Sequence, residues 1–313
     1  MRQTLLAPGR LRSDPFRIAD DDALRCRYMR RLIREGLADC ARQQARLIPK
    51  VVLQFWHDDG DVPRDVRDCL ASWAPLVGQG FERVFFDDRS ARQFIRKAFG
   101  RRHVAAFDLC HHPAMRCDFF RMCYLVARGG FYIDADEEYQ GGDCEPLFGD
   151  DLLKMQPLCY DGSTDSMIGV DVFVQEDVWS PDWIYYVNNN PIIAPPGHPI
   201  LRLALARATR MLTTQPVSRM DIQSTTGPGN LTASLVAHAI TCELAGEART
   251  FTLLRDWDSL SVSRWPLSYR TDERNWRLWR PAPVTPQPRV DGAVLNSQAV
   301  RRARESEMQA PGR

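Results

Sequence analysis

Residues 112–136, HPAMRCDFFRMCYLVARGGFYIDAD, carry the clearest structural pattern in the chain. Residues 113–128 predict a helix that begins with proline and is apolar on nearly every side, so that it must be buried. Gly129 and Gly130 permit the tight turn that ends this helix. Residues 131–134 then predict a short hydrophobic strand. A buried helix that leads directly into a buried strand is typical of an α/β domain.

The segments on the N-terminal side of this stretch alternate in the same way. Hydrophobic runs predict strands at 51–56 and 83–86. Helices are expected at 63–77, which opens with a proline, and at 90–99, where Ser90 would be the N-cap. Alternating strands and helices predict a mainly parallel sheet covered by helices.

Beyond residue 141 the pattern is less regular. It predicts strands at 170–174, 183–187 and 251–254, and helices at 198–212 and 231–244. We therefore expect an α/β protein with one Rossmann-like domain, built on a mixed and mainly parallel sheet.

Both ends of the chain differ in composition from this domain. Residues 1–46 hold eleven arginines against six acidic residues, and apolar residues at helical spacing predict a helix there. Such a basic helix either lies on an anionic membrane or packs on the domain, and the sequence leaves both open. Four prolines within eight residues begin a polar tail that we expect to be disordered. The predicted organisation is a basic helical segment at 1–46, a folded domain at 47–280 and a tail at 281–313.

Composition excludes several classes of protein. With 41 Lys and Arg against 40 Asp and Glu, the net charge of +1 lacks the excess of cations that nucleic-acid phosphates require. No apolar run approaches the roughly 18 residues of a membrane span, and the first 14 residues lack the apolar stretch of a signal peptide. Nine cysteines without a C-x-x-C pair indicate buried free thiols rather than disulfides or a zinc site. The sequence therefore favours a cytoplasmic protein, with contact to the inner face of the membrane as the alternative.

Two charged residues lie in the middle of the predicted buried helix. Asp118 and Arg121 are three positions apart, so they occupy neighbouring surface on the helix. Burying two charges is costly unless a partner compensates them. They either form an internal salt bridge or line a polar cleft and hydrogen-bond a ligand, and the residues alone leave both interpretations open.

Two carboxylates follow the predicted strand. Asp134 and Asp136 can converge at its carboxyl end, where open α/β sheets bind their ligands. With no His or Cys beside them, they suit Mg²⁺ or Mn²⁺ shared with phosphate oxygens. The D-x-D pattern alone is weak, since it recurs at 20–22, 59–61 and 256–258. The copy at 134–136 is the one that follows an apolar strand and a buried helix with charges.

Four stretches of the sequence together carry a resemblance to a known family. They are the run Asp118-x-x-Arg121-x-x-x-Leu125-x-x-x-Gly129-Gly130-x-Tyr132-x-Asp134-x-Asp136 and the segments 48–56, 190–199 and 226–229. In this order they resemble glycosyltransferase family 32, whose sugar-binding region has a similar signature. That family includes fungal mannosyltransferases and bacterial enzymes of capsule or lipopolysaccharide synthesis, and the large clostridial glucosylating toxins have a similar core. The resemblance extends over residues 47–265.

The resemblance implies a GT-A fold and a UDP- or GDP-sugar donor bound with Mn²⁺ or Mg²⁺. Asp136 would coordinate the metal, and Asp134 would contact the ribose and the water shell of the metal. Asp118 and Arg121 would hold hydroxyls of the donor sugar. Trp56 would lie against the nucleobase, although a strand tryptophan also commonly packs in the core, and that alternative stays open. The other donor-binding residues that the resemblance implies are Gln54, Gly130, Tyr132, Asn190, Thr226, Gly227, Ser263 and Trp265.

The chain departs from the family near the end of the resemblance. No histidine precedes the Ser-x-Trp at 263–265, and Leu260 stands where the toxins have glutamate. The third metal ligand is therefore open among Asp256, Asp258 and Ser263. We include Asp258 in the predicted metal set with the two aspartates of the D-x-D pattern.

The expected reaction is transfer of a hexose from the nucleotide to a glycan, glycolipid or protein acceptor, as in polysaccharide biosynthesis at the cytoplasmic side. The resemblance implies retention of anomeric configuration, and no second carboxylate is evident as a nucleophile. The alternatives are an effector that glycosylates host proteins and a non-catalytic protein that binds nucleotide sugars. A phosphatase of the haloacid dehalogenase type also uses D-x-D, but Glu137 and Glu138 and the position of the motif far from the N-terminus disfavour it.

Overall fold

The computed structural model describes residues 18–35, 47–216 and 220–279. Its helices are α1 (Asp22–Glu35), α2 (Arg64–Ser72), α3 (Asp88–Phe99), α4 (Arg101–Asp108), α5 (Pro113–Arg128), α6 (Val170–Phe173), α7 (Pro199–Thr214), α8 (Ile222–Thr225) and α9 (Pro228–Ala245). Its strands are β1 (Val51–Phe55), β2 (Glu82–Phe86), β3 (Gly130–Tyr132), β4 (Glu137–Tyr139), β5 (Leu153–Asp161), β6 (Ser166–Ile168), β7 (Trp183–Ala194), β8 (Phe251–Leu253) and β9 (Ser261–Ser263).

Seven of these strands form one mixed sheet. Their order is β2-β1-β3-β7-β5-β6, and β8 pairs with β5. Pairing is parallel for β1 with β2, β1 with β3 and β5 with β8, and it is antiparallel for β3 with β7, β5 with β7 and β5 with β6. A mixed sheet with helices packed on it confirms the predicted α/β class and agrees with the GT-A fold that the resemblance implies.

The three central strands are buried on both faces. Residues paired across β1, β3 and β7 belong alternately to two separate hydrophobic clusters, because successive side chains of a strand point to opposite sides. One row is Val52, Phe131 and Ile193, and the next row is Leu53, Tyr132 and Ile192. The apolar runs that predicted these strands therefore reflect burial from above and below the sheet.

Helix α5 has the bounds that the sequence predicts. Its proline lies in the first turn, and the Nδ1 of His112 accepts a hydrogen bond from the backbone N–H of Ala114 at 3.0 Å. The helix packs against α3 and α7, and its buried side chains include Phe119, Phe120 and Leu125. Since each such side chain stabilises the fold by roughly 1.5–3 kcal/mol, this packing holds the charged residues of the helix in place.

The turn from α5 to β3 requires glycine. Gly129 has φ +69° and ψ −171°, a conformation that is essentially restricted to glycine. A Cβ at this position would lie 2.7 Å from the backbone nitrogen of Pro196 and 2.8 Å from the carbonyl oxygen of Ala194. At Gly130, with φ +119°, a Cβ would lie 2.9 Å from the carbonyl oxygen of Val51. The two glycines thus allow β3 to pass close to the neighbouring backbone.

Several elements differ from the sequence prediction. The helix predicted at 63–77 ends at Ser72, and a separate 3-10 helix follows at Ala74–Gln79. Residues 170–174 were expected as a strand, but Val170–Phe173 is a helical turn, since a short apolar run does not distinguish the two. Strand β7 continues well beyond residue 187. Helix α3 begins before Ser90, because the side chain of Asp87 accepts from the Ser90 N–H at 2.7 Å and the Ser90 hydroxyl accepts from the Asp87 N–H at 2.9 Å.

Helix α1 is the described part of the basic N-terminal segment. Its apolar side is buried, and the helix packs against β7 and α9. The Tyr28 hydroxyl donates to Glu243 of α9 at 2.5 Å, and Arg31 forms an ion pair with the same carboxylate. This placement agrees with the alternative in which the helix packs on the domain. Residues 1–17 and 36–46 and the tail predicted at 281–313 lie outside the described residues, and the predicted domain bounds remain a prediction.

Two further properties concern the described residues as a group. None of the described helices is long and apolar enough to cross a membrane. The eight described cysteines are free thiols, and six of them are buried, as the composition indicated.

The close approach at Gly129 predicts a large loss of stability on substitution. Gly100 is a matched control, since it also ends a helix, at φ +79° and ψ −164°, but a Cβ there would meet no atom within 4 Å. We expect Gly100→Ala to lower the free energy of unfolding by about 1–3 kcal/mol through backbone strain alone. Gly129→Ala should cost about 1–3 kcal/mol more because neighbouring backbone must move. Urea unfolding of the two variants measures this difference, and equal losses would contradict it.

Candidate functional site

A cleft of about 610 Å³ lies at the carboxyl ends of β1 and β3. The segment 134–137, which contains the D-x-D pattern, forms its floor together with Trp56 at the end of β1. One wall comes from α5 and from residues 188–190 of β7. The opposite wall comes from residues 263–277, which we call the C-terminal segment. The cleft is thus at the edge of the sheet where the sequence predicts a ligand.

The guanidinium of Arg121 is buried and contacts several polar groups beside the cleft. Its Nη2 lies 3.0 Å from Oδ1 of Asp118 and 3.0 Å from Oδ1 of Asp134, and its Nη1 donates to the carbonyl oxygen of Asn189 at 2.6 Å. The guanidinium carbon stands 4.0 Å from the ring centre of Tyr132, a cation–π contact. Burial by itself lowers the pKa of Arg121, but the neighbouring Asp134 carboxylate and the other groups around it raise the pKa overall.

Asp118 is held by three partners. Besides the ion pair, it accepts from Nδ2 of Asn189 at 2.7 Å and from the hydroxyl of Thr226 at 3.3 Å. Burial raises the pKa of this carboxyl to about 6, although the Arg121 charge acts in the opposite direction. The internal ion pair and the cleft-lining position, which the sequence left as alternatives, are therefore both present in the structure.

Asp134 is oriented by side chains from three elements. The Tyr132 hydroxyl donates to its Oδ1 at 2.5 Å, and Arg121 contacts the same oxygen. Its backbone N–H donates to Oδ1 of Asn190 at 2.9 Å, which joins the end of β3 to β7. Tyr132 and Asn190 thus lie beside Asp134 and fix its position; their contact with a donor stays a prediction.

Asp136 contacts two residues that the sequence analysis did not single out. The hydroxyl of Tyr269 donates to its Oδ2 at 2.7 Å, and the guanidinium of Arg270 forms an ion pair with the same oxygen. Burial raises the pKa of Asp136, and so does the charge of Asp134, while Arg270 lowers it. The only signal in the sequence was the density of Trp, Tyr and Arg in the C-terminal segment, which no motif connects to the D-x-D pattern.

The two D-x-D carboxylates fit a divalent cation that is shared with a ligand. The hydrogen bonds described for them fall on Oδ1 of Asp134 and Oδ2 of Asp136, and the side chains are 30% and 17% exposed. Magnesium is commonly bound by one or two carboxylates together with substrate phosphates and water. Two carboxylates that line a cleft large enough for a nucleotide sugar supply such a set.

The predicted set of three metal-binding carboxylates is not assembled in the structure. Among the described residues, no three His, Cys, Asp or Glu side chains lie close enough to hold a metal ion. Asp258 lines the cleft, but its Oδ1 accepts from Nε2 of Gln156 at 2.9 Å. Of the alternatives, Ser263 also lines the cleft, whereas Asp256 does not belong to the lining. The loop between β8 and β9 decides these positions, and its conformation has no signature in the sequence.

Glu137 is a further carboxyl group beside the D-x-D pattern. It is buried in β4, where the hydroxyl of Ser261 in β9 donates to it. Burial raises the pKa of Glu137 to about 8, although that hydrogen bond lowers it. The glutamate therefore joins the two short strands rather than presenting a charged oxygen to a cation.

Trp56 lies mainly in the core and reaches the cleft with part of its ring. It is 8% exposed, its indole N–H donates to the carbonyl oxygen of Asp61 at 3.1 Å, and Tyr269 packs edge-on against it with ring centres 5.2 Å apart. Trp265 lines the cleft from the C-terminal segment and is 53% exposed. Both indoles that the sequence assigned to the donor therefore border the cleft, with very different exposure.

The remaining predicted donor-binding residues lie behind the cleft surface. Gln54 is buried in β1 and accepts from Arg83 at 3.1 Å. Thr226 is buried and reaches the cleft through its bond to Asp118. None of the predicted residues Gln54, Gly130, Tyr132, Thr226 and Gly227 is part of the described cleft lining. They position the lining residues or let the backbone pack closely.

Part of this site lies in a region that is similar to a known family of proteins. Residues 49–141 match the family model described as "Glycosyltransferase sugar-binding region containing DXD motif". The matched span runs from the strand β1 through β4 and contains both aspartates of the pattern. The match confirms the resemblance that the sequence motifs carry.

Individual relatives are similar over part of their length. Initiation-specific alpha-1,6-mannosyltransferases of Schizosaccharomyces pombe and Saccharomyces cerevisiae are each 26% identical to this chain over 205 residues. The match with the S. pombe protein covers 60% of this chain and 48% of that protein. The match with the S. cerevisiae protein covers 55% of this chain and 43% of that protein. An uncharacterized glycosyltransferase of Acanthamoeba polyphaga mimivirus is 27% identical over 95 residues, 29% of this chain and 36% of that protein. The chain thus spans less than half the length of each of these relatives. Among solved structures, the PaToxG glycosyltransferase is similar with a TM-score of 0.42 and 12% identity, covering 84% of this chain and 95% of that chain.

The contacts of Asp118 predict that its substitution lowers turnover much more than affinity for the nucleotide. In Asp118→Ala, Arg121 keeps its ion pair with Asp134, so we expect the free energy of unfolding to fall by only about 1–3 kcal/mol. Turnover of a nucleotide sugar should fall at least about tenfold, since a charge-assisted hydrogen bond contributes about 1.5–3 kcal/mol. Affinity for UDP or GDP should stay near that of the wild type. Thr226→Val, which removes one hydrogen bond and no charge, is the matched control with a smaller effect. A parallel loss of UDP or GDP affinity in Asp118→Ala would contradict this assignment.

The difference in exposure of the two indoles predicts a difference in stability. Trp56→Ala should lower the free energy of unfolding by about 3–5 kcal/mol, because it leaves a cavity among Val62, Val66 and neighbouring residues. Trp265→Ala should change it by less than about 1 kcal/mol, since that ring is largely in solvent. Thermal or urea unfolding measures both. A small loss for Trp56→Ala would show that the indole is uncovered in solution, as stacking on a nucleobase requires.

Proposed function

Since the chain carries a glycosyltransferase sugar-binding region with the DXD motif, we propose that it is a hexosyltransferase that uses a UDP- or GDP-sugar and Mn²⁺ or Mg²⁺. The observation that supports this most is the single cleft in which the D-x-D carboxylates and the buried Asp118–Arg121 pair lie together. Acidic oxygens at one end suit a cation and a diphosphate, and a charged, hydrogen-bonded wall suits a hydroxyl-rich sugar.

The donor sugar would lie against α5 and β7. Asp118, Arg121 and the amides of Asn188 and Asn189 offer both acceptors and donors on that wall. Arg121 also has a buried Nε without a hydrogen-bond partner among the described residues, while its two Nη atoms bind Asp118, Asp134 and Asn189. A neutral sugar with several hydroxyls matches such a mixture, since each hydroxyl both donates and accepts.

The diphosphate would lie over the D-x-D pattern. When bound, the divalent cation stabilises the negative charge that develops on the departing nucleoside diphosphate. Asp134 and Asp136 would hold that cation, and Tyr132 and Arg121 fix the orientation of Asp134 in advance. Such preorganisation is effective because the side chains need not rearrange during the reaction.

Retention of configuration would proceed by attack of the acceptor hydroxyl on the same face of the sugar. The carboxyl groups that line the described cleft are all engaged: Asp118 and Asp134 with Arg121, Asp136 with Arg270, Glu137 with Ser261, and Asp258 with Gln156. These partners fix each carboxyl group in place, and we propose the mechanism that needs no nucleophilic carboxylate and forms no glycosyl-enzyme intermediate.

The identity of the sugar and acceptor follows less directly from the site. Two of the similar proteins are named mannosyltransferases, so mannose is the first hexose to test in this cleft. A glycan, a glycolipid or a protein side chain can each present the acceptor hydroxyl. We propose assembly of a glycan or glycolipid at the cytoplasmic side, and an effector that modifies host proteins is the alternative.

A panel of nucleotide sugars tests the proposed function. We expect one UDP- or GDP-hexose to raise the melting temperature only when Mn²⁺ or Mg²⁺ is present, because a ligand at 100 times its Kd stabilises the native state by about 2.7 kcal/mol. Slow hydrolysis of the same compound would show transferase chemistry. If no compound of the panel binds or is hydrolysed, the assignment is wrong.

A single substitution tests the metal site. Asp136→Asn should abolish Mn²⁺-dependent donor binding and turnover, because an amide is a much weaker ligand for a hard cation than a carboxylate. The fold should persist, since the amide oxygen can still accept from Tyr269. Circular dichroism and the melting temperature serve as controls, and full activity of the variant would disprove the metal assignment.

A further inference from the structure

The carboxylate assigned to the metal is already neutralised by the protein itself. Arg270 and Asp136 form an ion pair in which the two side chains are 12% and 17% exposed, so the pair is largely shielded from water. The Tyr269 hydroxyl occupies the same oxygen, Oδ2, at 2.7 Å. Both partners come from the C-terminal segment, more than 130 residues away in sequence.

The Arg270 guanidinium is only partly satisfied in this arrangement. Its Nε is buried and lacks a hydrogen-bond partner among the described residues. The group stacks over the exposed ring of Trp265, with the guanidinium carbon 3.3 Å from the ring centre. The backbone of Arg270 is held separately, because Nδ2 of Asn275 donates to its carbonyl oxygen at 2.8 Å. The side chain can therefore change partner while the segment stays in place.

Arg270 and a divalent cation compete for the carboxylate of Asp136. A divalent cation on Asp136 would repel a guanidinium on the same carboxylate, since like charges a few ångströms apart destabilise each other. A diphosphate, in contrast, offers several anionic oxygens, and the planar guanidinium binds such groups through two parallel hydrogen bonds. Those oxygens would also satisfy the buried Nε.

We propose that Arg270 is the resident counter-ion of Asp136 and exchanges this carboxylate for the donor diphosphate when the divalent cation binds. The proposal rests on the proposed function, since it assumes that a cation and a diphosphate enter this cleft. It adds a role for Arg270 in this site: the ion pair holds the side chain of Asp136 in place before the ligands arrive, and it couples the binding of the cation to that of the diphosphate. The cation alone must displace Arg270, whereas cation and diphosphate together give Arg270 a new partner.

The experiment compares binding of Mn²⁺ alone with binding of UDP or GDP in its presence. Free Mn²⁺ is measured by its electron paramagnetic resonance signal, and nucleotide binding by calorimetry. In Arg270→Gln we expect Mn²⁺ alone to bind about threefold or more tightly than in the wild type, because its competitor is gone. UDP or GDP with Mn²⁺ should bind about tenfold or more weakly, because a charged hydrogen-bond donor is lost.

Arg264→Gln is the matched control for the loss of charge. Arg264 belongs to the same segment and lies 3.8 Å from Glu138, and its contact with Asp136 is a backbone hydrogen bond that the substitution keeps. We expect this variant to bind Mn²⁺ and nucleotide as the wild type does. Equal tightening of Mn²⁺ binding in both variants would show a general charge effect and would overturn the proposal.

A second variant keeps the test decisive if Arg270→Gln does not fold. Arg270→Lys retains the positive charge but loses the planar group, so Mn²⁺ alone should bind nearly as in the wild type while nucleotide binding weakens. Unchanged nucleotide affinity in Arg270→Lys, or unchanged or weaker Mn²⁺ affinity in a folded Arg270→Gln, would overturn the exchange. If the wild type binds neither Mn²⁺ nor nucleotide, the proposed function itself fails. If the wild type binds both and the Arg270 variants bind them equally well, only the exchange by Arg270 is wrong.

Discussion

The buried guanidinium of Arg121 is the interaction on which the site depends. It lies within 3.0 Å of oxygens of both Asp118 and Asp134, and it also binds the carbonyl oxygen of Asn189. One residue thus connects α5, the end of β3 and the strand β7. Its position is set by the apolar packing of α5 on both sides, so the hydrophobic core and the polar site are parts of one arrangement. A buried charge without these partners would be strongly destabilising.

A second cation completes the charge balance from the opposite side. Arg270 of the C-terminal segment contacts Asp136, as Arg121 contacts Asp134. Two neighbouring carboxylates repel each other, and two arginines from distant parts of the chain allow both to remain in the cleft. The D-x-D pattern is therefore not an isolated loop but the meeting point of a helix, a strand end and the C-terminal segment.

The sequence predicts those residues of the site whose pattern lies within one short stretch of the chain. Asp118, Arg121, Asp134 and Asp136 were accessible because a buried helix with charges and an apolar strand with carboxylates are unusual within a short window. Tyr269 and Arg270 were not accessible, since their role depends on the antiparallel pairing of β4 with β9, which brings the C-terminal segment beside Asp136. The third metal ligand, open in the sequence among Asp256, Asp258 and Ser263, depends on the loop between β8 and β9, where Asp258 accepts a hydrogen bond from Gln156.

Local patterns in the sequence were enough to predict the α/β class, the strands β1 to β3, the bounds of α5 and the glycine turn that follows it. These features depend on hydrophobic periodicity and on backbone conformations that a few residues control. Tertiary structure alone decided the short turn at Val170–Phe173, the full length of β7, the depth of Trp56 and the partners of each carboxylate. Burial and ion pairing depend on atoms that lie far apart in sequence. No local sequence pattern around Asp136 or Arg270 predicts their contact, because it forms only when β4 pairs with β9.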